Sequence, residues 1–177
     1  MSKVKIATIW MDGCSGCHMS FLDIDERLLD LAEHIELVYS PLVDNKVYPD
    51  HVDVALIEGA VANEEDLAKI KKVREHTKIL VALGDCAVTS NVSAMRNQVG
   101  VDAVLKHAYV ELATLNQGPP TSVVPKLLPR VRPVHEVVKV DVFVPGCPPS
   151  ADAIFAAVSE LLAGRIPEVA GLTRFGA

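Results

Sequence analysis

Short apolar runs alternate with longer amphipathic segments along most of this chain. Residues 4–11 are apolar and rich in β-branched side chains, which is typical of a buried strand. Similar runs predict further strands at 35–39, 53–57, 78–83 and 140–144. Strands that alternate with helices predict an α/β fold with a doubly wound, mostly parallel sheet, close to a flavodoxin-like arrangement.

The helices are predicted between these strands. Apolar residues recur at helical spacing from about residue 19 to 34, with acidic residues between them, so we expect one amphipathic helix there. Asn63 and Ser150 each precede a segment of the same periodicity and are predicted to cap it. Residues 90–97 predict a short helix.

Residues 101–140 depart from this alternation. Eight of the eleven prolines lie between Pro119 and Pro149. Proline fixes φ and has no amide hydrogen, so we expect a long proline-rich loop before the last strand, without a long regular element. Such a loop inside a compact domain is usually functional or packs on a partner. We expect residues 118–133 to become ordered on a partner.

Composition narrows the possible partners. The length suits one domain, residues 1–177, with a sizeable core. The net charge of −6 argues against nucleic acid or an anionic membrane surface as partner. The mean hydropathy of +0.27 is high, although no apolar run is long enough to span a membrane. We therefore expect part of the apolar surface to form a subunit interface.

Residues 1–5 lead directly into the first strand, which predicts a cytoplasmic protein without a cleaved leader.

The four cysteines carry the clearest chemistry. Cys14 and Cys17 form a C-x2-C pair, whereas Cys86 and Cys147 stand alone, and each group lies in a loop just after a predicted strand. Because loops after parallel strands meet at one edge of the sheet, we expect the four thiols to come together. Four thiolates suit an iron–sulfur cluster or zinc. Two disulfides, or unrelated buried cysteines, are the alternatives.

Other polar residues lie beside these loops. His18 follows Cys17 and is predicted to donate to the metal site, to face a partner, or to be a partly exposed loop histidine. Glu58 ends an apolar strand at the cysteine edge, where a buried carboxylate could pass protons. A salt-bridged or helix-capping glutamate is the other interpretation. Asp12 and Asp85 are expected to bond loop amides.

No dinucleotide, P-loop or G-x-S-x-G motif is present, which argues against a self-contained dehydrogenase or kinase.

Four ordered segments resemble the small subunit of [NiFe]-hydrogenases, over nearly the whole chain. They are residues 10–20, Ile57-Glu58-Gly59-Ala60-Val61, Gly84-Asp85-Cys86-Ala87 and Pro145-Gly146-Cys147-Pro148-Pro149. The chain looks most like the soluble, NAD-reducing bidirectional type. The counterpart in complex I is related, but it has adjacent cysteines in its first motif.

The resemblance implies one [4Fe–4S] cluster bound by Cys14, Cys17, Cys86 and Cys147. The nickel–iron centre would belong to a separate large subunit. Electrons from hydrogen would pass through the cluster to a diaphorase module that carries further clusters, FMN and the NAD site. The resemblance also places Glu58 near the subunit boundary, where proton transfer is a reasonable role.

Glycines are expected to bring backbone amides close to the sulfurs, because glycine has no side chain. These residues are Gly13, Gly16 and Gly146. After Cys86 the chain reads Ala87-Val88-Thr89-Ser90-Asn91, where many relatives of this family have paired glycines, so the backbone of that loop is expected to differ. The export leader and the additional clusters of periplasmic uptake hydrogenases have no counterpart, which predicts one cluster.

Other functions remain open at this point. The same kind of subunit occurs in cytoplasmic hydrogenases linked to a deazaflavin or to heterodisulfide reductase, and in complex I. A flavodoxin-like FMN carrier and a four-cysteine zinc scaffold are the candidates from other classes. FMN bound beside the cluster is a further possibility.

Overall fold

Seven strands and six α-helices form the regular structure of the computed structural model, which describes residues 3–115 and 117–176. The strands are β1 (Val4–Trp10), β2 (Ile35–Tyr39), β3 (Val52–Glu58), β4 (Val61–Asn63), β5 (Thr77–Leu83), β6 (Leu127–Arg132) and β7 (Val142–Val144). The α-helices are α1 (Gly16–Leu22), α2 (Arg27–His34), α3 (Glu64–Glu75), α4 (Asp85–Thr89), α5 (Val101–Lys106) and α6 (Ala151–Leu162). Asn91–Gln98 and Val134–Glu136 are 3-10 helices, and His107–Glu111 is a π-helical turn.

Five of the strands form one parallel sheet in the order β2-β1-β3-β5-β7. The strand order reverses between β1 and β3, which is the mark of a doubly wound sheet and the usual place for a ligand. The predicted fold is therefore confirmed. Strands β4 and β6 form a separate antiparallel pair. Among the described residues, no helix is long and apolar enough to cross a membrane.

Each face of the sheet has its own apolar core, because successive side chains of a strand point to opposite faces. On one face, Ile6, Leu56 and Val81 pack with Phe21 of α1 and Ile154 of α6. Helix α2 joins this layer through a buried leucine. This layer holds α1, which carries Cys17, against the sheet.

The opposite core is built on the alternate residues of the same strands. Ala55, Ile57 and Leu80 pack there with Ile70 and Val73 of α3. With a helix layer on each face, the sheet buries both of its sides, and its carboxyl edge is left to the connecting loops.

Two predicted helix caps are confirmed. The Asn63 side chain accepts a hydrogen bond from the Asp66 amide (2.9 Å) at the start of α3. The Ser150 hydroxyl accepts one from the Ala153 amide (3.2 Å) at the start of α6. Each bond satisfies an amide that has no partner within the helix.

The prediction of a single helix over residues 19–34 is wrong. The segment forms α1 and α2, which are separated by four residues in which Asp25 adopts φ of +60°. A left-handed residue cannot continue a right-handed helix, and aspartate tolerates that conformation better than most side chains. Ile24 beside it is buried, so the break turns an apolar side chain into the core.

The proline-rich segment contains one strand that the sequence did not suggest. Within the described part of the chain, strand β6 pairs only with β4, where Asn63 lies opposite Leu127 and Val61 opposite Arg132. Pro129 lies within β6, which is compatible with a strand that has a partner on one side. The ordering of residues 118–133 on a partner stays a prediction.

Arg74 ties the end of α3 to the start of β5 and to the residue before β7. Its guanidinium donates to Asp141 Oδ2 (2.6 Å), to the Lys78 carbonyl (3.0 Å) and to the Thr77 carbonyl. Asp141 Oδ2 also accepts from the Leu80 amide (2.9 Å). Partial burial opposes ionisation of Asp141, but the Leu80 amide and the Arg74 guanidinium outweigh it and lower the pKa of this carboxyl.

We predict that Asp141→Asn lowers the free energy of unfolding at pH 7 by about 1–3 kcal/mol, since a charged hydrogen-bond acceptor is lost. A carboxyl with a lowered folded pKa stabilises the protein above its ordinary pKa of 3.8, and this contribution is lost as the pH falls through the folded value. The difference from wild type should therefore shrink below about pH 4. Urea unfolding at several pH values measures it. Asp50→Asn is the control, because the Asp50 side chain is 92% exposed. A difference that stays constant down to about pH 2 would contradict the argument.

Candidate metal centre at the carboxyl edge of the sheet

The four cysteines lie at the carboxyl ends of three parallel strands. Cys14 follows β1 and Cys17 lies in the first turn of α1, whereas Cys86 lies in α4 after β5 and Cys147 follows β7. The thiols are near enough for Cys14, Cys86 and Cys147 each to raise the pKa of Cys17. The structure thus brings together the cysteines that the sequence placed in separate loops. All four are free thiols.

The second and third cysteine loops are joined through Asp85. The Gly84 amide donates to the Val144 carbonyl (2.8 Å), and the Asp85 amide donates to the Gly146 carbonyl (2.8 Å). The buried Asp85 carboxylate accepts from the Gly146 amide (2.7 Å) through Oδ1 and from the Gly176 amide (2.7 Å) through Oδ2. The prediction that Asp85 bonds loop amides is confirmed, and its carboxylate fixes Cys86 and Cys147 relative to each other.

The first cysteine loop is seated on the end of β3. The Met11 amide donates to the Glu58 carbonyl (2.9 Å), and Asp12 exchanges main-chain hydrogen bonds with Ala60 (3.2 and 2.8 Å). Gly59 makes this approach possible. It has φ of +93°, and a Cβ at this position would lie 2.8 Å from the Met11 carbonyl carbon. The end of β3 therefore supports both Glu58 and the loop that carries Cys14.

Gly84 allows the backbone after β5 to pack directly against the sulfur of Cys17. A Cβ at this position would lie only 2.2 Å from Cys17 Sγ, so the backbone after β5 occupies space that a side chain would need. Gly84 has φ of +82° and ψ of 161°, a region that is essentially restricted to glycine. The role of Gly84 was not predicted from the sequence, although this glycine precedes the Asp85-Cys86 pair.

The three glycines predicted near sulfurs differ in their surroundings. A Cβ on Gly16 would lie 3.2 Å from Cys14 Sγ, so this backbone does approach a sulfur. The nearest neighbours of a Cβ on Gly13 would be backbone atoms of Gly59 (Cα at 3.2 Å) and Glu58 Oε1 (3.7 Å), not a sulfur. The Gly146 amide is engaged by the Asp85 carboxylate.

Burial separates the thiols into two pairs. Cys17 and Cys86 are buried, whereas Cys14 and Cys147 are exposed. Burial, and next the nearby Glu58, raise the pKa of Cys17 far above its ordinary value. Burial also raises the pKa of Cys86 to about 11, with Cys14 and Cys147 adding to it. Without a metal the buried thiols therefore keep their protons at neutral pH, and binding a metal centre must release them.

Glu58 lies at the inner end of a buried chain of polar side chains. Its Oε2 accepts from the backbone amide of His18 (2.9 Å) and also contacts Nδ1 of the His18 imidazole. His18 Nε2 lies 3.0 Å from the Thr8 hydroxyl, which donates to the Ser40 hydroxyl (2.8 Å). Because Thr8 donates to Ser40, it accepts from Nε2, which leaves His18 Nδ1 and Glu58 Oε2 to share one proton.

These contacts test the predictions made for His18 and Glu58. His18 is buried, so its interpretation as a partly exposed loop histidine is wrong, and its partner is a carboxylate. Glu58 is 1% exposed, and its carboxylate accepts from the amide of His18 in the first turn of α1 and pairs with the imidazole of the same residue. The interpretation of Glu58 as a salt-bridged or helix-capping glutamate is therefore confirmed. Thr8 and Ser40 were missed, because a hydroxyl within or just after an apolar strand carries no signal of its partner.

The donor set fits a cluster bound by sulfur. Four thiols from three interlocked loops converge, and thiolates are the ligands that iron–sulfur clusters use. Within residues 3–115 and 117–176, no three His, Cys, Asp or Glu side chains are grouped closely enough to bind a single metal ion. A [4Fe–4S] cluster attaches each thiolate to a different iron atom, so it does not need such a group.

Comparisons with known proteins find similarity to subunits of NADH ubiquinone oxidoreductase and of hydrogenases. The model of the family described as "NADH ubiquinone oxidoreductase, 20 Kd subunit" matches residues 14–161. The "NAD-reducing hydrogenase HoxS subunit delta" of Cupriavidus necator is 44% identical over 168 residues, which cover 92% of this chain and 80% of that protein. A solved NAD+-reducing [NiFe]-hydrogenase in the H2-reduced state contains a chain with a TM-score of 0.93 and 42% identity, at 98% and 99% coverage.

Another relative is longer than this chain. It belongs to the F420-non-reducing hydrogenase of Methanothermobacter thermautotrophicus and is 39% identical over 167 residues. That alignment covers 92% of this chain but 54% of the relative, so the chain spans about half of that protein.

We predict that Gly84→Ala damages the site more than Gly100→Ala does. Gly100 has φ of +85° and ψ of 164°, which nearly match Gly84, but a Cβ there would have no neighbour within 4 Å. Both changes carry a backbone cost of about 1–3 kcal/mol. Only Gly84→Ala also displaces the Cys17 sulfur. Urea unfolding and iron content after anaerobic assembly measure the two effects. Equal losses in both variants would show that the contact with Cys17 is unimportant.

Proposed function

The chain belongs to the NADH ubiquinone oxidoreductase 20 Kd subunit family, and on that basis we propose that it is the electron-transfer small subunit of an NAD-reducing [NiFe]-hydrogenase. The convergence of four thiols at one sheet edge is the observation that carries the proposal. Cys14, Cys17, Cys86 and Cys147 would hold one [4Fe–4S] cluster, and residues 1–177 would form a single domain around it. When bound, the cluster supplies a one-electron relay.

The residues around the thiols suit such a relay. Cys17 and Cys86 lie in the protein interior, which excludes water from one side of the site, whereas Cys14 and Cys147 lie at the surface. Electrons must cross between chains, so an exposed side is required where partners dock. In the overall reaction, H2 and NAD+ give NADH and a proton.

Exposed apolar residues next to the site support docking of a partner. Trp10, at the end of β1, is 46% exposed, and Met19 and Leu22 of α1 are 57% and 40% exposed. All three lie within eight residues of Cys14. We assign the cysteine edge to a large subunit that carries the nickel–iron centre, and we place a diaphorase module with further clusters, FMN and the NAD site as the electron acceptor. The free thiols agree with a cytoplasmic location.

The decisive test is anaerobic analysis of iron and acid-labile sulfide, with EPR of the reduced protein in its complex. We expect about four irons per chain and a reduced-cluster signal. Cys86→Ala should lose most of the iron, since one thiolate is missing. Val88→Ala in the same helix is the control for a packing change. One zinc without iron would refute the electron-transfer function, and bound flavin without iron would favour an FMN carrier.

A hydrogenase linked to another electron acceptor is the second candidate. It is favoured by the 39% identity to a component of an F420-non-reducing hydrogenase. The NAD-reducing hydrogenase and the hydrogenase with another acceptor are distinguished by assaying the purified complex with hydrogen as the electron donor. Reduction of NAD+ supports the leading proposal, whereas reduction of an artificial dye but not of NAD+ supports the second.

We also propose that Glu58 transfers protons at the subunit boundary. It is buried at the cysteine edge and shares a proton with His18, which is what a proton-transfer group requires. Thr8 and Ser40 extend the hydrogen bonds toward the end of β2.

We predict that Glu58→Gln slows hydrogen turnover by a factor of about 10² while iron content and the EPR spectrum stay unchanged. Glutamine keeps the shape of the side chain but cannot act as an acid or a base near neutral pH. Isotope exchange between D2 and water, measured without an electron acceptor, isolates the proton step. Asp141→Asn is the control, because this carboxylate precedes β7 at the opposite edge of the sheet. An unchanged exchange rate would remove Glu58 from the proton path.

A further inference from the structure

Two successive non-glycine residues adopt left-handed conformations just after the Cys86 helix. Ser90 has φ of +68° and Asn91 has φ of +35°. Side chains other than glycine rarely adopt positive φ, although asparagine tolerates it better than most. The Ser90 hydroxyl is also buried without a hydrogen-bond partner among the described residues. Such strain persists only where the surrounding structure enforces it, and it is common at functional sites.

The strained pair aims the Asn91 side chain at a sulfur. Asn91 Nδ2 lies 3.4 Å from Cys147 Sγ and donates a hydrogen bond to it. When Cys147 is a thiolate, the amide must present its nitrogen, because its carbonyl oxygen would face the lone pairs of the sulfur. Asn91 and Cys147 are 56 residues apart in the chain, so this contact is made by the fold and not by local sequence.

The segment that carries Asn91 is anchored to the other two cysteine loops. The Ser90 amide donates to the Cys86 carbonyl (3.0 Å), and the Ser93 hydroxyl donates to the Asp12 carbonyl (3.0 Å). The donor is therefore held in place from both sides.

The far end of the segment is equally fixed. Asn97 and Val131 of β6 exchange two hydrogen bonds (2.9 and 2.8 Å), and Arg96 donates to the Ala62 carbonyl (2.9 Å). Strands β4 and β6 thus brace the 3-10 helix that begins with Asn91. The antiparallel pair of β4 and β6 therefore limits the movement of the Asn91 side chain.

We propose that Asn91 is a positioning residue that donates an N–H···S hydrogen bond to the Cys147 thiolate and thereby raises the reduction potential of the cluster. The proposal rests on the cluster assigned above. A hydrogen bond to a ligand sulfur stabilises negative charge, and the reduced cluster carries one more negative charge than the oxidised one. The bond therefore favours the reduced state.

The exposure of Cys147 explains why a fixed donor matters there. An exposed thiolate accepts hydrogen bonds from water, and docking of a partner removes that water. Asn91 belongs to this chain and stays in place when a partner docks. It keeps one donor on the sulfur in the assembled complex, so the potential depends less on how well the interface excludes water.

The test is a redox titration of the intact hydrogenase complex, monitored by EPR of this cluster, in three variants. Asn91→Gly keeps the left-handed backbone without strain and removes the donor. Asn91→Asp keeps the size and the tolerance of positive φ, but places a carboxylate beside the sulfur. Ser90→Gly relieves the neighbouring strain and leaves the donor, so it is the matched control.

We expect a more negative midpoint potential in Asn91→Gly, a still more negative one in Asn91→Asp, and the wild-type value in Ser90→Gly. Deuteron couplings of the reduced cluster after exchange into D2O should lose one contribution in Asn91→Gly. A wild-type potential in Asn91→Gly at full iron content overturns the proposal, as does an equal shift in Ser90→Gly. If Asn91→Asp fails to hold iron, Asn91→Gly still decides. A wild-type complex without iron on this chain would instead refute the proposed function.

Discussion

The closeness of the Cys17 sulfur to the backbone at Gly84 constrains the whole carboxyl edge of the sheet. Two cysteine loops on different strands can meet there because residue 84 has no side chain and adopts a conformation restricted to glycine. Strands β1, β3 and β5 are parallel and end in register, so the loops that follow β1 and β5 begin at the same level of the sheet. Strand β3, which lies between them, contributes Glu58. Asp85 then fixes the third loop to the second. The positions of all four sulfurs follow from this set of contacts.

Periodicity predicted most of the fold because the apolar runs are short, β-branched and separated by clear helices. It failed where one residue changes the backbone, as at Asp25, and where a three-residue strand such as β4 is too short to show a pattern. The order of strands in space, and the pairing of β4 with β6, depend on contacts between distant residues.

The site could be predicted in outline for a similar reason. Loops after parallel strands meet, so the cysteines could be grouped from their positions alone. The partners of His18 and Asn91 could not be inferred, because each is chosen by distances between remote segments. A polar residue shows in the sequence what it is able to bond, and only the fold shows which atom it bonds. The buried polar chain from Glu58 to Ser40 is the clearest example.

The cysteines of the proposed cluster follow three strands, which include the first and the last strand of the main sheet in chain order. Cys14 follows β1, and Cys147 follows β7, a strand of three residues that pairs with β5 at the edge of the sheet. On this ligation, the site is incomplete until everything from β1 to β7 has been synthesised and the final strand has joined the sheet. Iron insertion is therefore tied to the end of folding, and the fraction of chains that carry a complete cluster cannot exceed the fraction whose last strand has docked.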